Sequence, residues 1–217
     1  MAVAEHRGSG QGGRFPAALH DVKAAVRHLR GHADELGIDP QKLCSYGASS
    51  GGWMSLMLAT TGSMKEKPAI DLEGSLGDAA FHALPTHVNC SVACFPPTDF
   101  LLMDSQAPEG YQEIWHDEPN SPESRFMGFP IQTQPEKCAQ ASPLSYMHKN
   151  MPPVLLLHGD IDGKVPVGQS RIFAEKLREM GLEHEFQELP GAGHGGPGFN
   201  QPDVRDRILR FVKKHCP

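Results

Sequence analysis

The chain has 217 residues, a formal net charge of −6 and a hydrophobic fraction of 39%. That length suits one domain with a sizeable core. No Lys/Arg cluster offers the basic surface that nucleic acid requires, and no apolar run approaches the roughly 18 residues of a membrane span, so neither partner is expected. Met1–Arg14 lacks the apolar core of an export signal, which leaves the cytoplasm as the default expectation.

In chain order, Met1–Arg14 is Gly-rich and aperiodic and reads as a loose arm. Leu19, Val22, Val26 and Leu29 then recur at helical spacing behind Pro16, which predicts a helix over Phe15–Gly37. Asp39-Pro40 is a turn. Lys42–Tyr46 reads as a short buried strand, Gly47–Gly52 as the turn that leaves it, and Trp53–Thr61 as a helix. His87–Phe95 is a second strand. Pro96–Asn150, with scattered aromatics and prolines, reads as a cap-like insertion. Pro153–His158 is the clearest strand, through the unbroken apolar run Val154-Leu155-Leu156-Leu157. An amphipathic helix over Gly168–Gly181, a strand over His184–Leu189 and a helix over Pro202–His215 complete the chain. This alternation predicts one α/β domain over 1–217, with a mostly parallel sheet flanked by helices. The active site of such a sheet lies beyond the C-terminal ends of its strands.

Five cysteines, Cys44, Cys90, Cys94, Cys138 and Cys216, lack C-x-x-C spacing. An odd, unclustered set argues for free thiols over a disulfide framework or a zinc site. No metal and no cofactor is expected.

Gly47-Ala48-Ser49-Ser50-Gly51 is G-x-S-x-G. In a nucleophile elbow this pattern makes a sharp strand-to-helix turn that lifts the serine oxygen above the sheet. Gly47 and Gly51 are expected because side chains there would crowd the turn. The Ser50 N–H, at the start of the following helix, is placed to stabilise negative charge. A serine needs a base, and the base an orienting group. His194, set among glycines after the strand His184–Leu189, is the candidate base. Asp160 and Asp162, both after the strand ending at His158, compete evenly for the third place. Asp99, after the second strand, is a weaker third candidate, and His158 reads as structural. The bland alternatives are a structural glycine turn and a surface histidine.

Arg14-Phe15-Pro16-Ala17-Ala18-Leu19, Asp21–Arg27, Gly37-Ile38-Asp39-Pro40 and Gly47–Gly52 resemble the esterases of the α/β-hydrolase superfamily. The nearest group is hormone-sensitive-lipase-like and feruloyl-esterase-like, and is related to prolyl oligopeptidase catalytic domains. Pro96–Phe100, Asp117–Arg125, His158–Pro166 and Gly191–Gly195 extend the resemblance over nearly the whole chain. It implies an α/β-hydrolase fold, a small-molecule ester substrate, and a triad of Ser49, Asp162 and His194, with Asp160 a turn residue. The chain departs from the pattern in one respect. The His-Gly-Gly loop that supplies an oxyanion donor upstream of the elbow is absent here, and only the C-terminal half of the usual sheet is expected, with Lys42–Tyr46 on an exposed edge. Backbone donors in Gly8–Gly13 are a possible substitute, although a flexible arm is the simpler reading. Phe100, Trp115, Phe126 and their neighbours either stack an aromatic group of the substrate or pack the cap onto the sheet. Two alternatives stand beside the esterase reading: a prolyl-oligopeptidase-like peptidase, and a truncated, inactive hydrolase fragment.

Overall fold

The computed structural model describes residues 1–64 and 77–217. Four strands, β1 (Cys44–Ala48), β2 (Cys90–Cys94), β3 (Val154–Gly159) and β4 (His184–Leu189), form one sheet in the order β1-β2-β3-β4. Every neighbouring pair is parallel. The central strands β2 and β3 are buried along their whole length. This matches their unbroken runs of apolar and small residues, since a strand covered on both faces needs no polar alternation.

Side chains of β3 alternate between two cores, as the two-residue period of a strand requires. Val154 and Leu156 pack with Leu56 of α3 (Ser50–Thr61) and with Phe173 and Leu177 of α6 (Gly168–Glu179). Leu155 and Leu157 face the other way, against Val204 and Phe211 of α7 (Pro202–His215). Each such fully buried apolar side chain contributes about 1.5–3 kcal/mol relative to an exposed one.

A third core joins α1 (Ala17–Gly31) to the N-terminal part of α3 and to the residues after β2. Leu19, Val22 and Val26 supply the face of α1, and Trp53 is its centre. The Trp53 indole N–H donates to the Ala141 carbonyl at 2.6 Å, and its ring meets Phe15 and Phe126 edge-on. One side chain of α3 thus fixes the helix behind the elbow to both flanking segments.

Several boundaries differ from the sequence reading. The first helix stops at Gly31, and Ala33–Leu36 (α2) is a separate short turn of helix that ends at Gly37 in the left-handed region. The first strand runs over Cys44–Ala48, two residues later than predicted, and α3 begins at Ser50 instead of Trp53, so the elbow is shorter than Gly47–Gly52. β1 is an edge strand, with Tyr46 62% exposed.

Met1–Arg14 also differs from a loose arm, because part of it is tied down. The Arg7 guanidinium bonds both oxygens of Asp21 on α1, and the Arg7 N–H donates to Asp21 as well. Ser9–Gln11 form a turn of 3-10 helix, and the Gln11 and Gly13 amides donate to the Gly8 carbonyl. The pairing of Arg7 with Asp21 lies between residues distant in sequence and leaves no periodic trace.

Between β2 and β3, short helices α4 (Pro122–Met127) and α5 (Pro135–Ala139) alternate with 3-10 turns. Met103, Met127 and Ile131 are buried there, whereas Tyr111 and Trp115 are exposed.

Candidate active site

Ser49 sits between β1 and α3 with φ 56° and ψ −123°. A non-glycine residue at positive φ carries strain on the order of 1–3 kcal/mol and persists only where its surroundings hold it. Here the Ser49 N–H donates to the Cys94 carbonyl of β2, and its own carbonyl accepts from Trp53, inside α3. The packed helix and the adjacent strand therefore fix the turn from both sides. The Ser50 N–H lies in the first turn of α3, where no intrahelical acceptor exists.

His194 lies in the loop after β4, and Asp162 in the loop after β3. The His194 Nε2 is 2.9 Å from the Ser49 Oγ, and its Nδ1 is 2.8 Å from the Asp162 Oδ2. Asp162 is fully buried, and its Oδ1 accepts the N–H groups of Lys164 and Val165 at 2.9 Å each. Burial on its own raises this carboxyl group, but the hydrogen bonds from His158, His194 and Val165 outweigh it and hold Asp162 well below the usual carboxylate range. An ionised carboxylate only accepts, so the proton of neutral His194 sits on Nδ1. Nε2 is then the free acceptor, turned toward the serine hydroxyl.

The two competing aspartates separate cleanly. Asp160 accepts the Gly191 N–H at 2.7 Å and so ties the loop after β3 to the loop that carries His194. Asp99 accepts the Leu101 N–H and caps a 3-10 turn. His158 is buried, with Nδ1 on the Ser170 Oγ and Nε2 on the Val165 carbonyl, both at 2.7 Å, and it supports Asp162 from behind.

Of the two elbow glycines expected from the motif, only Gly47 is crowded. A Cβ on Gly47 would lie 2.1 Å from the Gly51 carbonyl oxygen, so glycine is required there. A Cβ on Gly51 would meet nothing within 4 Å. The crowded position on the far side of the turn is Gly52, whose Cβ would approach the Cys94 carbonyl oxygen to 2.8 Å. Gly51 starts the helix in open space, while Gly52 lets it settle on β2.

Phe95 was not expected from the sequence. It directly follows β2 at φ 38°, and its ring centroid lies 4.5 Å from that of His194 and 4.8 Å from that of Phe199. Each of the four strands thus delivers one residue to the same end of the sheet: Ser49, Phe95, Asp162 and His194 in strand order. No motif marks Phe95; its signal is its place after a buried strand.

A cavity of about 470 Å³ opens over Ser49, Ser50 and His194. His6, Arg7, Gly8, Ser9 and Gly13 of the tied-down arm line one part of it. Phe100, Ile114, His116, Glu123 and Phe126, from between β2 and β3, line another. Phe100 and Phe126 also meet each other edge-on, so their rings serve both cavity wall and core. Among the described residues, no group of three or more His, Cys, Asp or Glu could hold a metal ion, and no helix is long and apolar enough to cross a membrane.

A parallel sheet flanked by helices, with a serine on the strained turn after its first strand, defines an α/β-hydrolase in which part of the fold is present. The chain belongs to the BD-FAE family, whose model matches residues 1–177. Esterase LipC of Mycobacterium tuberculosis is 30% identical over 191 residues, covering 84% of this chain and 41% of LipC. The curated relatives LipC, LipQ and LipM are thus matched over about two fifths of their length. A truncated form of a carbohydrate esterase from gut microbiota superposes with a TM-score of 0.85 at 30% identity, over 98% of this chain and 72% of that one. The thermophilic esterase Est2 of Thermogutta terrifontis gives 0.62 at 27% identity, over 94% of this chain and 65% of its own.

Proposed function

We propose that this chain hydrolyses carboxylic esters through Ser49, His194 and Asp162. The observation that carries the reading is the linked row of hydroxyl, imidazole and buried carboxylate, with contacts of 2.9 and 2.8 Å. Ser49 attacks the ester carbonyl while its proton passes to the His194 Nε2. Asp162 keeps the imidazole in the required tautomer and stabilises its positive charge. The Ser50 N–H faces the oxyanion at the positive end of α3. His194 then protonates the leaving alcohol, and a water activated by the same ring releases the acid from the acyl-enzyme. The names of LipC and of the superposed esterases support an ester in place of an amide substrate.

The test is covalent labelling by a fluorophosphonate, read beside hydrolysis of p-nitrophenyl acetate and of a proline amide. Wild-type protein takes the label and cleaves the ester in preference to the amide. Ser49→Ala does neither. Labelling that persists in Ser49→Ala removes Ser49 from the role, and preferential amide cleavage replaces the esterase with a peptidase.

A further inference from the structure

Cys44 opens β1, Cys90 opens β2, and the two are register partners in the parallel ladder. The register is clamped one residue earlier. The Asn89 N–H donates to the Leu43 carbonyl at 2.7 Å, and the Leu43 N–H donates to the Asn89 Oδ1 at 2.9 Å. Both cysteines face the core that Val204 and Phe211 of α7 cover, and Cys216 packs against the same core. Cys90 is fully buried, whereas Cys44, on the edge strand, is half-buried. All three are free thiols, and the triad uses none of them.

Neighbouring parallel strands run about 4.8 Å apart, inside the roughly 4.4–6.8 Å between Cα atoms that a disulfide spans. We propose that Cys44 and Cys90 form a reversible redox modification site, a dithiol that a small-molecule disulfide such as oxidised glutathione converts into a bridge tying the edge strand to β2. The bridge is a labile one. Register partners in a parallel ladder project their side chains side by side, so closing the bond strains it, and strained disulfides are readily reduced. A chain without esterase activity would still carry this dithiol, so the inference stands apart from the triad reading.

The two sulfurs are set for exchange. The hydrogen bond from Cys44 outweighs burial and holds the Cys90 thiol below its usual range. That same contact, with burial and the charges of Cys90 and Cys216, pushes Cys44 far above it. The Ser45 carbonyl, 3.4 Å from the Cys44 Sγ, is its other acceptor. One proton is therefore shared by the pair once the first is lost. Cys44 reaches solvent and so meets the oxidant. Its proton passes to the Cys90 thiolate as its sulfur attacks one sulfur of the oxidant, whose S–S bond breaks and releases one glutathione thiolate. That thiolate takes the proton from Cys90. The Cys90 thiolate then attacks the Cys44 sulfur of the mixed disulfide and expels the second glutathione thiolate, which takes a proton from water. Two protein thiols are oxidised, and one oxidant molecule is reduced to two thiols.

The experiment treats the full, folded, reduced chain with oxidised glutathione, blocks the remaining thiols with iodoacetamide in denaturant, and reads the digest by mass spectrometry. Wild type gives a peptide pair joined through Cys44 and Cys90, and dithiothreitol removes the bridge within minutes. Cys216→Ser keeps the bridge. In Cys90→Ala the reaction stops halfway, with one glutathione left on Cys44. Amide hydrogen exchange along β1 slows on oxidation and recovers on reduction. The proposal is overturned by the absence of a bridge in the folded chain, or by a bridge from Cys216 in place of the one between Cys44 and Cys90. A glutathione that stays unresolved on wild-type Cys44 overturns it too, as does unaltered exchange in β1 of the bridged protein. Should Cys90→Ala fail to fold, reduced wild type is titrated with phenylarsine oxide, a trivalent arsenical that binds two adjacent thiols. Capture that is lost in Cys44→Ala supports the proposal, and equal capture by both proteins overturns it.

Discussion

A methyl group on Gly47 would stand 2.1 Å from the carbonyl oxygen of Gly51, across the turn that carries Ser49. Neither atom can yield cheaply, since the Cβ is fixed by the backbone of β1 and the oxygen belongs to the backbone of α3. Gly47→Ala is therefore expected to lower the melting temperature sharply, by an overpacking cost of about 1–3 kcal/mol or more, and to abolish fluorophosphonate labelling by moving Ser49. Gly51→Ala is the informative contrast. Its Cβ points into open space, φ there is ordinary, and alanine is favoured over glycine in a helix by about 1 kcal/mol. That variant melts at or above the wild-type temperature and still takes the label. Equal damage from both substitutions would show that the turn is not constrained as described.

Phe95 supports His194 through ring contact instead of hydrogen bonding, with centroids 4.5 Å apart. Shortening it to leucine keeps an apolar filler but removes the ring that packs against the imidazole at an interplanar angle of 58°. Misplacing a catalytic group by about 1 Å can cost a hundredfold. Phe95→Leu is therefore expected to slow fluorophosphonate labelling by about tenfold or more, while far-ultraviolet circular dichroism is retained. Labelling at the wild-type rate would make Phe95 a packing residue only.

The order of strands and helices was legible because each core strand is a short apolar run bounded by turn residues. The limits of β4 and α7 agree with the sequence reading to the residue. Ser49 and His194 were legible for a related reason: a motif or a glycine cluster stands directly after a strand, and the strand's direction fixes which end of the sheet receives it. Asp160 and Asp162 were not separable by local chemistry, since both lie in one tight loop. The family resemblance pointed to Asp162, and the path of the loop brings that carboxylate to His194 and Asp160 to the Gly191 N–H. What remained hidden depends on contacts between distant segments. Arg7 finds Asp21 across 14 residues, the exposed Trp115 stands beside the buried His116, and Phe95 owes its place to φ 38° and not to residue type.

Asp162 and Asp160 provide the last test, because they share a loop and differ in what they touch. Asp162→Asn removes the acceptor that holds the His194 proton on Nδ1, so the ring is free to take the wrong tautomer. A fall in kcat on the order of 10⁴ is expected with the fold intact, as for the corresponding change in other serine hydrolases. Asp160→Asn alters one bond to a backbone N–H, and its effect on kcat should be far smaller. Asp162 also leaves a signature in acid. In the folded protein Asp162 is held below its unfolded value of about 3.9. It therefore contributes stability that is fully present above about pH 4 and is lost as the pH falls through the folded value. Between pH 7 and pH 3, wild-type protein should lose more stability to urea than Asp162→Asn does, because the asparagine cannot titrate. Parallel losses in the two proteins would mean that Asp162 is not held in its ionised form by His158, His194 and Val165. The charge balance assigned to the Ser49–His194–Asp162 row would then be wrong.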